Sequence, residues 1–302
     1  MDIPRWIKYL YQRLPLRRSL LIAMRNLYVP EYRLSQRLNF DGPFRVKAGE
    51  TSFLLQNYDD YDHVIENQIF WQGLTGRWEK KSLRIWMDLC KNAHTIFDIG
   101  ANTGVYALAA QAVNPNANVF AFEPVERIYA ELERNVQLNA YPIRCIPHAL
   151  SNIDGIQTLY ERPGTHDYTA SLNRHFMADH FAGVDYQSKE LTTVRLATLI
   201  VREHVQAIDL MKIDVETHEY EVLLGMGEFL EKMKPTLLLE ILNDNAGQLL
   251  EPLMRANKYL MFAIDENEGP RRVDTLRVTA PLNYLMCNET IAREMGLLLN
   301  AE

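Results

Sequence analysis

The sequence predicts an α/β fold: a seven-stranded, mostly parallel sheet with helices on both faces, preceded by an N-terminal helical cap segment. Three observations predict it. From Thr95 onward, short apolar runs alternate with helical stretches, the pattern of a sheet covered on both sides. One of those runs ends in a glycine turn that opens a helix. The chain has 302 residues, 47% of them hydrophobic, enough for one large α/β core and an added segment. The expected division is a cap over residues 1–90 and a sheet domain over 91–302, with an insertion at 155–193.

In the cap, Ile3, Trp6, Ile7, Leu10, Tyr11 and Leu14 recur at helical spacing, and Leu20, Leu21, Met24, Leu27 and Tyr28 continue an apolar face beyond Pro15. Residues 1–40 hold eight Lys/Arg against two Asp/Glu, so this segment is +6 and the remaining chain −13. Such basic amphipathic helices either lie on an anionic membrane surface or pack on the sheet domain or a second subunit. Phe44 to Leu55 reads as a hairpin around Ala48-Gly49-Glu50, and Ile69 to Leu89 as helical after the Gly73/Gly76 turn.

The seven strands are His94–Ile99, Asn118–Phe122, Arg144–Pro147, Ile208–Ile213, Thr236–Ile241, Leu260–Ile264 and Leu282–Cys287. Helices begin near Gly104, Val125, Leu196, His218 and Gly247. The insertion Gly155–Thr193, rich in His, Asp and Tyr, reads as part hairpin and part lid at the sheet's carboxyl edge, where open α/β sheets bind ligands. His166, Asp167, Tyr168, His175, Asp179, His180 and Tyr186 there are candidate acceptor contacts. Trp71 and Trp78-Glu79 are candidates to close over the site.

The acidic main body argues against a nucleic-acid partner. Cys90, Cys145 and Cys287 are too few and too scattered for a disulfide framework or a zinc site, and are read as reduced thiols in a cytoplasmic protein. No apolar run approaches the roughly 20 residues of a spanning helix. No zinc-protease helix, nucleophile elbow or phosphate loop occurs; in His218-Glu219-Tyr220-Glu221-Val222 the second histidine position is Val222.

The strand Thr95-Ile96-Phe97 runs into Asp98-Ile99-Gly100-Ala101-Asn102-Thr103-Gly104, after which a helix begins. Gly100 permits a tight bend and close ligand approach, and the N–H groups at the helix start can receive the carboxylate of an amino-acid ligand. Asp98 can balance an ammonium. A dinucleotide fingerprint needs its second glycine where Asn102 stands, which argues against a nicotinamide-dependent oxidoreductase. The second strand ends Phe122-Glu123-Pro124, about twenty residues past Gly100, where a carboxylate can accept both ribose hydroxyls. Beyond the third strand, Ala149-Leu150-Ser151 lies where the base of a nucleoside should rest, with a backbone amide or the Ser151 hydroxyl for its edge. Asn135 and Asn139 read as a surface residue and a helix stop.

With these elements and the run Lys212-Ile213-Asp214-Val215-Glu216, the chain resembles the FkbM family of methyltransferases over about residues 58–290. The family pattern is Asp-Ile-Gly-Ala-Asn-x-Gly, then Phe-Glu-Pro, then Leu-x-x-Asn-x-x-x-Asn (here Leu132 to Asn139), then Lys-Ile-Asp-Val-Glu-Gly-x-Glu. One position departs from it: the glycine after the acidic pair is Thr217, which can cap the following helix. The resemblance implies a Rossmann-like fold, S-adenosylmethionine as cofactor, and O-methylation of a sugar, glycan or related polyhydroxylated acceptor; the basic start adds lipid linkage and peripheral membrane contact through residues 1–40 as readings, with a homo-oligomer as another. The expected cofactor contacts are Asp98, Gly100, Asn102, Thr103, Gly104, Glu123, Pro124, Ala149 and Ser151.

Methyl transfer needs positioning and a base. Lys212, Asp214 and Glu216 alternate along the fourth strand toward the carboxyl edge, with Asp214 the first catalytic candidate, followed by Glu216 and His218; Lys212 is either a further catalytic candidate or an ion-pair partner of Asp214 or Glu240 that ties strands together. Glu240, ending the neighbouring strand, would stand beside Asp214. Two such carboxylates could bind an acceptor's hydroxyls or hold a divalent metal; no metal ligand is assigned. A non-catalytic S-adenosylmethionine-binding module is the third function class, against which the intact acidic strand ends weigh.

Overall fold

The computed structural model describes residues 16–59, 63–161, 170–180, 186–278 and 282–298. Strands β1 (Gly42–Ala48) and β2 (Thr51–Asn57) form the expected antiparallel hairpin. The main sheet is built from β3 (Thr95–Ile99), β4 (Asn118–Phe122), β5 (Arg144–Ile146), β10 (Leu210–Ile213), β11 (Thr236–Glu240), β12 (Leu260–Asp265), β13 (Gly269–Arg272) and β14 (Asn283–Cys287), in the order β13-β12-β14-β11-β10-β3-β4-β5. All seven expected strands are present. The eighth, β13, is the edge strand and pairs only with β12, so Gly269-Pro270-Arg271-Arg272 needs no apolar alternation and gave no strand signal. The strands from β5 through β11 run parallel, and β14 is inserted antiparallel between β11 and β12.

Alternation along each strand divides the core in two. Ile96, Val119, Leu210, Leu238 and Leu285 face one side; Phe97, Phe120, Met211, Leu239 and Met286 face the other. The first face is covered by the helices Lys80–Cys90 and Val105–Val113 and by the hairpin, so Phe44, Phe53, Phe70 and Trp86 join the same cluster as Ile96. The second is covered by helices including Leu196–Arg202, Glu219–Met226 and Asp244–Ala256. That last helix starts three residues before Gly247 because the Asn243 side chain accepts the Ala246 N–H at 2.8 Å and caps it.

The region read as an insertion extends a second sheet of four strands, in the order β6 (Ala149–Ser151), β9 (Gln187–Arg195), β7 (Gly155–Glu161), β8 (Ala170–Ser171). Pro147 lies between β5 and β6, where the chain leaves one sheet for the other. His166, Asp167 and Tyr168 lie outside the described residues, as do the side chains of His175, Asp179 and His180; Tyr186 packs edge-on against Tyr160.

Of the basic start, residues 1–15 lie outside the described set. The helix Arg17–Leu27 docks on its own domain: Leu21 is buried, Arg17 pairs with Asp59 at 2.6 Å, Arg18 donates to the Pro43 carbonyl, and Arg25 lies over the Phe70 ring at 5.1 Å. Among the described residues no helix is long and apolar enough to cross a membrane.

Candidate active site

The turn after β3 is held from three directions. Gly100 and Ala101 donate to the Phe122 carbonyl at 3.0 and 2.9 Å, fastening the turn to the end of β4. Gly100 has φ +78°, and a Cβ there would lie 1.7 Å from the Asp214 carbonyl oxygen. Its lack of a side chain therefore lets two strand ends meet. Gly104 (φ +95°) leaves room for Leu132 in the same way. Asn102, between them, is also left-handed at φ 52°, and its side chain accepts the Thr103 N–H at 2.7 Å.

Glu123 stands at the end of β4, buried, with one carboxylate oxygen accepting the Asn102 N–H at 3.0 Å and the other the Val125 N–H at 2.9 Å. Burial pushes its pKa up to about 7 against these two bonds. Two backbone bonds leave further lone pairs on the oxygens, a fixed acceptor suited to a ribose diol. Asp98 differs: it is buried beneath the turn and accepts the Ala107 N–H at 2.9 Å, so it secures the helix start from within. Burial likewise raises it to about 7, opposed by Lys212.

Of the pair read as a surface residue and a helix stop, Asn139 does end its helix, Glu126–Asn139, but Asn135 is not on the surface and both amides have partners across the fold. Asn135, fully buried, accepts the Gln56 N–H at 2.9 Å and donates to the Thr103 carbonyl at 2.8 Å. Asn139 accepts from the Leu54 N–H and donates to the Leu54 carbonyl, both at 2.7 Å. The two amides thus bond β2 as another strand would, and tie it to the cofactor turn. Glu66, on the helix Val64–Gln72, adds a bond from Thr103 Oγ1 at 2.5 Å.

At the carboxyl edge of β10, Lys212 Nζ donates to Asp214 Oδ2 at 2.6 Å and lies 4.5 Å from the Tyr106 ring centroid. Lys212 is buried; Asp214 is partly open. Burial opposes the charge on Lys212, but Asp214, Glu79, Asp98 and Glu240 more than offset it and hold its pKa above the usual value. Burial also disfavours ionised Asp214, yet Lys212 and hydrogen bonds from Glu240 and Lys212 keep its pKa below the usual carboxylate range. Glu240 is pushed well above its ordinary value by burial and by Asp214, and so holds its proton.

Sequence reasoning named Glu79 only as a closing residue beside Trp78, yet it belongs to this centre. It accepts from Tyr106 Oη at 2.5 Å and from Asn283 Nδ2 at 3.2 Å. Trp71, the other closing candidate, is a core residue that donates to the Leu38 carbonyl at 3.0 Å.

Three residues sit differently from expectation. His218 Nε2 is 2.9 Å from Ser151 Oγ, and burial lowers its pKa to about 4, so it is a neutral residue joining the two sheets. The Ser151 hydroxyl is thereby engaged, and also accepts from Gln157 at 3.0 Å; Ala149 is buried beside it in β6. Thr217 does not cap the helix, whose N-cap is His218; it adopts φ 73°, the left-handed geometry favoured by glycine, and its Oγ1 accepts from Asn173 at 3.0 Å. Glu216, at φ 54°, accepts from Ser171 Oγ through its carbonyl at 2.6 Å. Glu219, which the sequence reading left aside, accepts the Val215 and Thr217 N–H groups at 3.2 and 3.1 Å on one oxygen and holds this turn from below. Among the described residues no group of three or more His, Cys, Asp or Glu side chains is arranged to hold a metal ion.

The family described as the methyltransferase FkbM domain matches residues 98–261. The 31-O-demethyl-FK506 methyltransferase FkbM of Streptomyces tacrolimicus is 31% identical over 154 residues, covering 44% of this chain and 59% of that protein. The hexuronic acid methyltransferase AglP of Haloferax volcanii is 26% identical over 161 residues, covering 52% of this chain and 60% of that protein. The match thus spans about 60% of the length of these relatives. A crystal structure of the methyltransferase FkbM from Methylobacillus flagellatus aligns with a TM-score of 0.41 at 13% identity, covering 64% of this chain and 43% of that one. With the glycine turn, the strand-end acids and more than half of its length matched, this chain belongs to the FkbM family of S-adenosylmethionine-dependent methyltransferases.

Proposed function

We propose that the protein transfers a methyl group from S-adenosylmethionine to a hydroxyl of a sugar, glycan or related polyhydroxylated acceptor. The observation that carries this reading is the set of acids along one edge of the sheet: Glu123 after β4, bonded to the turn after β3, and, on the other side of β3, the Lys212–Asp214–Glu240 centre on β10 and β11. The first suits a nucleoside diol, the second an oxygen acceptor. Among the relatives, one is named for 31-O-demethyl-FK506 and another for hexuronic acid, which is why a hydroxylated acceptor is favoured.

When bound, the sulfonium of S-adenosylmethionine supplies an electrophilic methyl group and leaves as a neutral thioether. The ribose would be held by Glu123, and the amino-acid end by the turn from Gly100 to Gly104. Asp214 is the group proposed to take the acceptor's proton. Its lowered pKa does not disqualify it, because an oxygen that has gained a methyl group while keeping its proton is a far stronger acid than any carboxylic acid. Lys212 keeps Asp214 ionised and in place, and the protonated Glu240 shares a hydrogen bond with it.

The test is a methyl-labelled donor offered with a panel of sugars and cell-envelope glycan extracts. Label should enter a hydroxylated acceptor, and Asp214→Ala should abolish that transfer while calorimetry still shows donor binding. Undiminished transfer in Asp214→Ala would overturn the assignment of the base. Glu123→Ala should instead abolish donor binding itself.

A further inference from the structure

Glu79 occupies a position that the donor and acceptor assignments leave unexplained. It precedes the helix Lys80–Cys90, far in sequence from the strand-end motifs, and is left-handed at φ 42°. Its two carboxylate oxygens reach in opposite directions, one accepting from Tyr106 on the helix after β3 and the other from Asn283 at the start of β14. The strands β10 and β11 lie between β3 and β14 in the sheet, so the carboxyl group spans the ends of the strands that carry Asp214 and Glu240. It is partly accessible there, as are Asp214 and Glu240, whereas the Lys212 ammonium, bonded to Asp214, is buried.

A second observation concerns Asn283. Its side chain is 5% exposed, its amide nitrogen is given to Glu79, and its carbonyl oxygen has no hydrogen-bond partner among the described residues. Buried amide oxygens are rarely left so, and this one can accept from a partner that carries polarised hydrogens. The lining of this spot is therefore rich in oxygen: the carboxyl groups of Glu79, Asp214 and Glu240, and the Asn283 carbonyl; burial raises the pKa of Glu79, and the nearby Lys212 opposes that rise.

A sulfonium methyl meets that description. Its hydrogens are polarised by the adjacent positive sulfur and make C–H···O contacts with oxygen acceptors, and the charge itself is attracted to the carboxylates. The thioether left after transfer has neither property. We propose that Glu79 and Asn283 form an oxygen-lined seat for the sulfonium–methyl end of the donor, and that this seat makes the site discriminate the charged donor from its demethylated product. The inference rests on the donor reading above. It gives the N-terminal segment a part in the reaction cycle: product is held less tightly once the charge is gone.

Calorimetric titration of the full chain with S-adenosylmethionine and S-adenosylhomocysteine tests this. In Glu79→Gln the donor affinity should fall about tenfold, the scale of one lost contact to a charged group, while product affinity changes less than about twofold, so the ratio of the two collapses. Equal losses for both ligands, or no loss for either, would overturn the seat. Asn283→Ala, a smaller truncation read by the same ratio, should lower it about threefold; an unchanged ratio there counts against the proposal, and this variant decides the matter if circular dichroism shows Glu79→Gln unfolded. A wild-type protein that binds neither compound would overturn the donor reading itself, which a preserved ratio would not.

Discussion

The two turns that meet at the centre of the site are built on opposite principles. The turn after β3 places Gly100, Asn102 and Gly104 at positive φ, residue types that tolerate it. The turn after β10 places Glu216 and the β-branched Thr217 there, residue types that do not. The first conformation is local, written in the residues that adopt it. The second is imposed from outside, by Ser171 on the Glu216 carbonyl, Asn173 on the Thr217 hydroxyl and Glu219 on two backbone N–H groups. The strained turn is thus held in part by the second sheet, through Ser171, whereas the turn after β3 adopts its conformation through its own residue types and is then fastened by Phe122, Glu123, Glu66 and Asn135.

This contrast is sharpest where a side chain is added to the first turn. Gly100→Ala should destabilise the protein by about 4 kcal/mol or more, since both the positive φ and the Asp214 carbonyl exclude a Cβ. Chemical denaturation measures it, and a loss below about 1 kcal/mol would mean the strand ends can part. Next in size is Lys212→Met, which leaves Asp214 without its cation among Glu79, Asp98 and Glu240; removing one partner of such a pair costs about 3–5 kcal/mol. Stability regained at low pH, where the carboxylates are protonated, would confirm that unpaired charge is the cause.

Asn135→Ala should cost about 2 kcal/mol for the stranded Gln56 N–H and Thr103 carbonyl, and should weaken donor binding because Thr103 belongs to the turn. Equal donor affinity in this variant would detach β2 from the cofactor site.

Beneath the second turn, burial pushes Glu219 up to about 8 from an ordinary 4.5. Between those values the folded chain holds a proton that the unfolded chain has lost. The stability from this group is therefore fully present below the unfolded pKa and is lost as pH rises through the folded one. Glu219→Gln keeps a neutral side chain throughout, so the fall in Tm between about pH 5 and pH 8 should shrink; an unchanged pH profile would assign the proton elsewhere.

The smallest effect has the opposite sign. Thr217→Gly relieves a left-handed β-branched residue, roughly 2 kcal/mol, against about 1 kcal/mol for glycine's freedom in the unfolded chain and part of one hydrogen bond. A rise in Tm of about 2 °C is expected. A fall would show the Asn173 bond to be worth more than the strain.

The seven expected strands of the main sheet were legible because alternation and apolar runs are local signals, and so was the Asp98–Gly104 turn. The roles of Asn135 and Asn139 were not: a polar residue on a helix looks the same whether it meets water or a strand edge, and their partners Leu54 and Gln56 lie some 80 residues away. β13 was missed because an edge strand requires no apolar face. Glu79 was legible only as a closing candidate beside Trp78, since only folding brings it between Tyr106 and Asn283.

The sequence by itself determined the sheet, the order of its helices and the glycine turn, each of which follows from the preferences of neighbouring residues. Only the tertiary structure decided which acids share the carboxyl edge, which of them keep their protons, and why Thr217 can stand where glycine is expected. Those outcomes depend on burial and on charges from β3, β10, β11, β14 and the N-terminal segment at once, and the energy of a buried carboxylate is set by neighbours in space rather than along the chain.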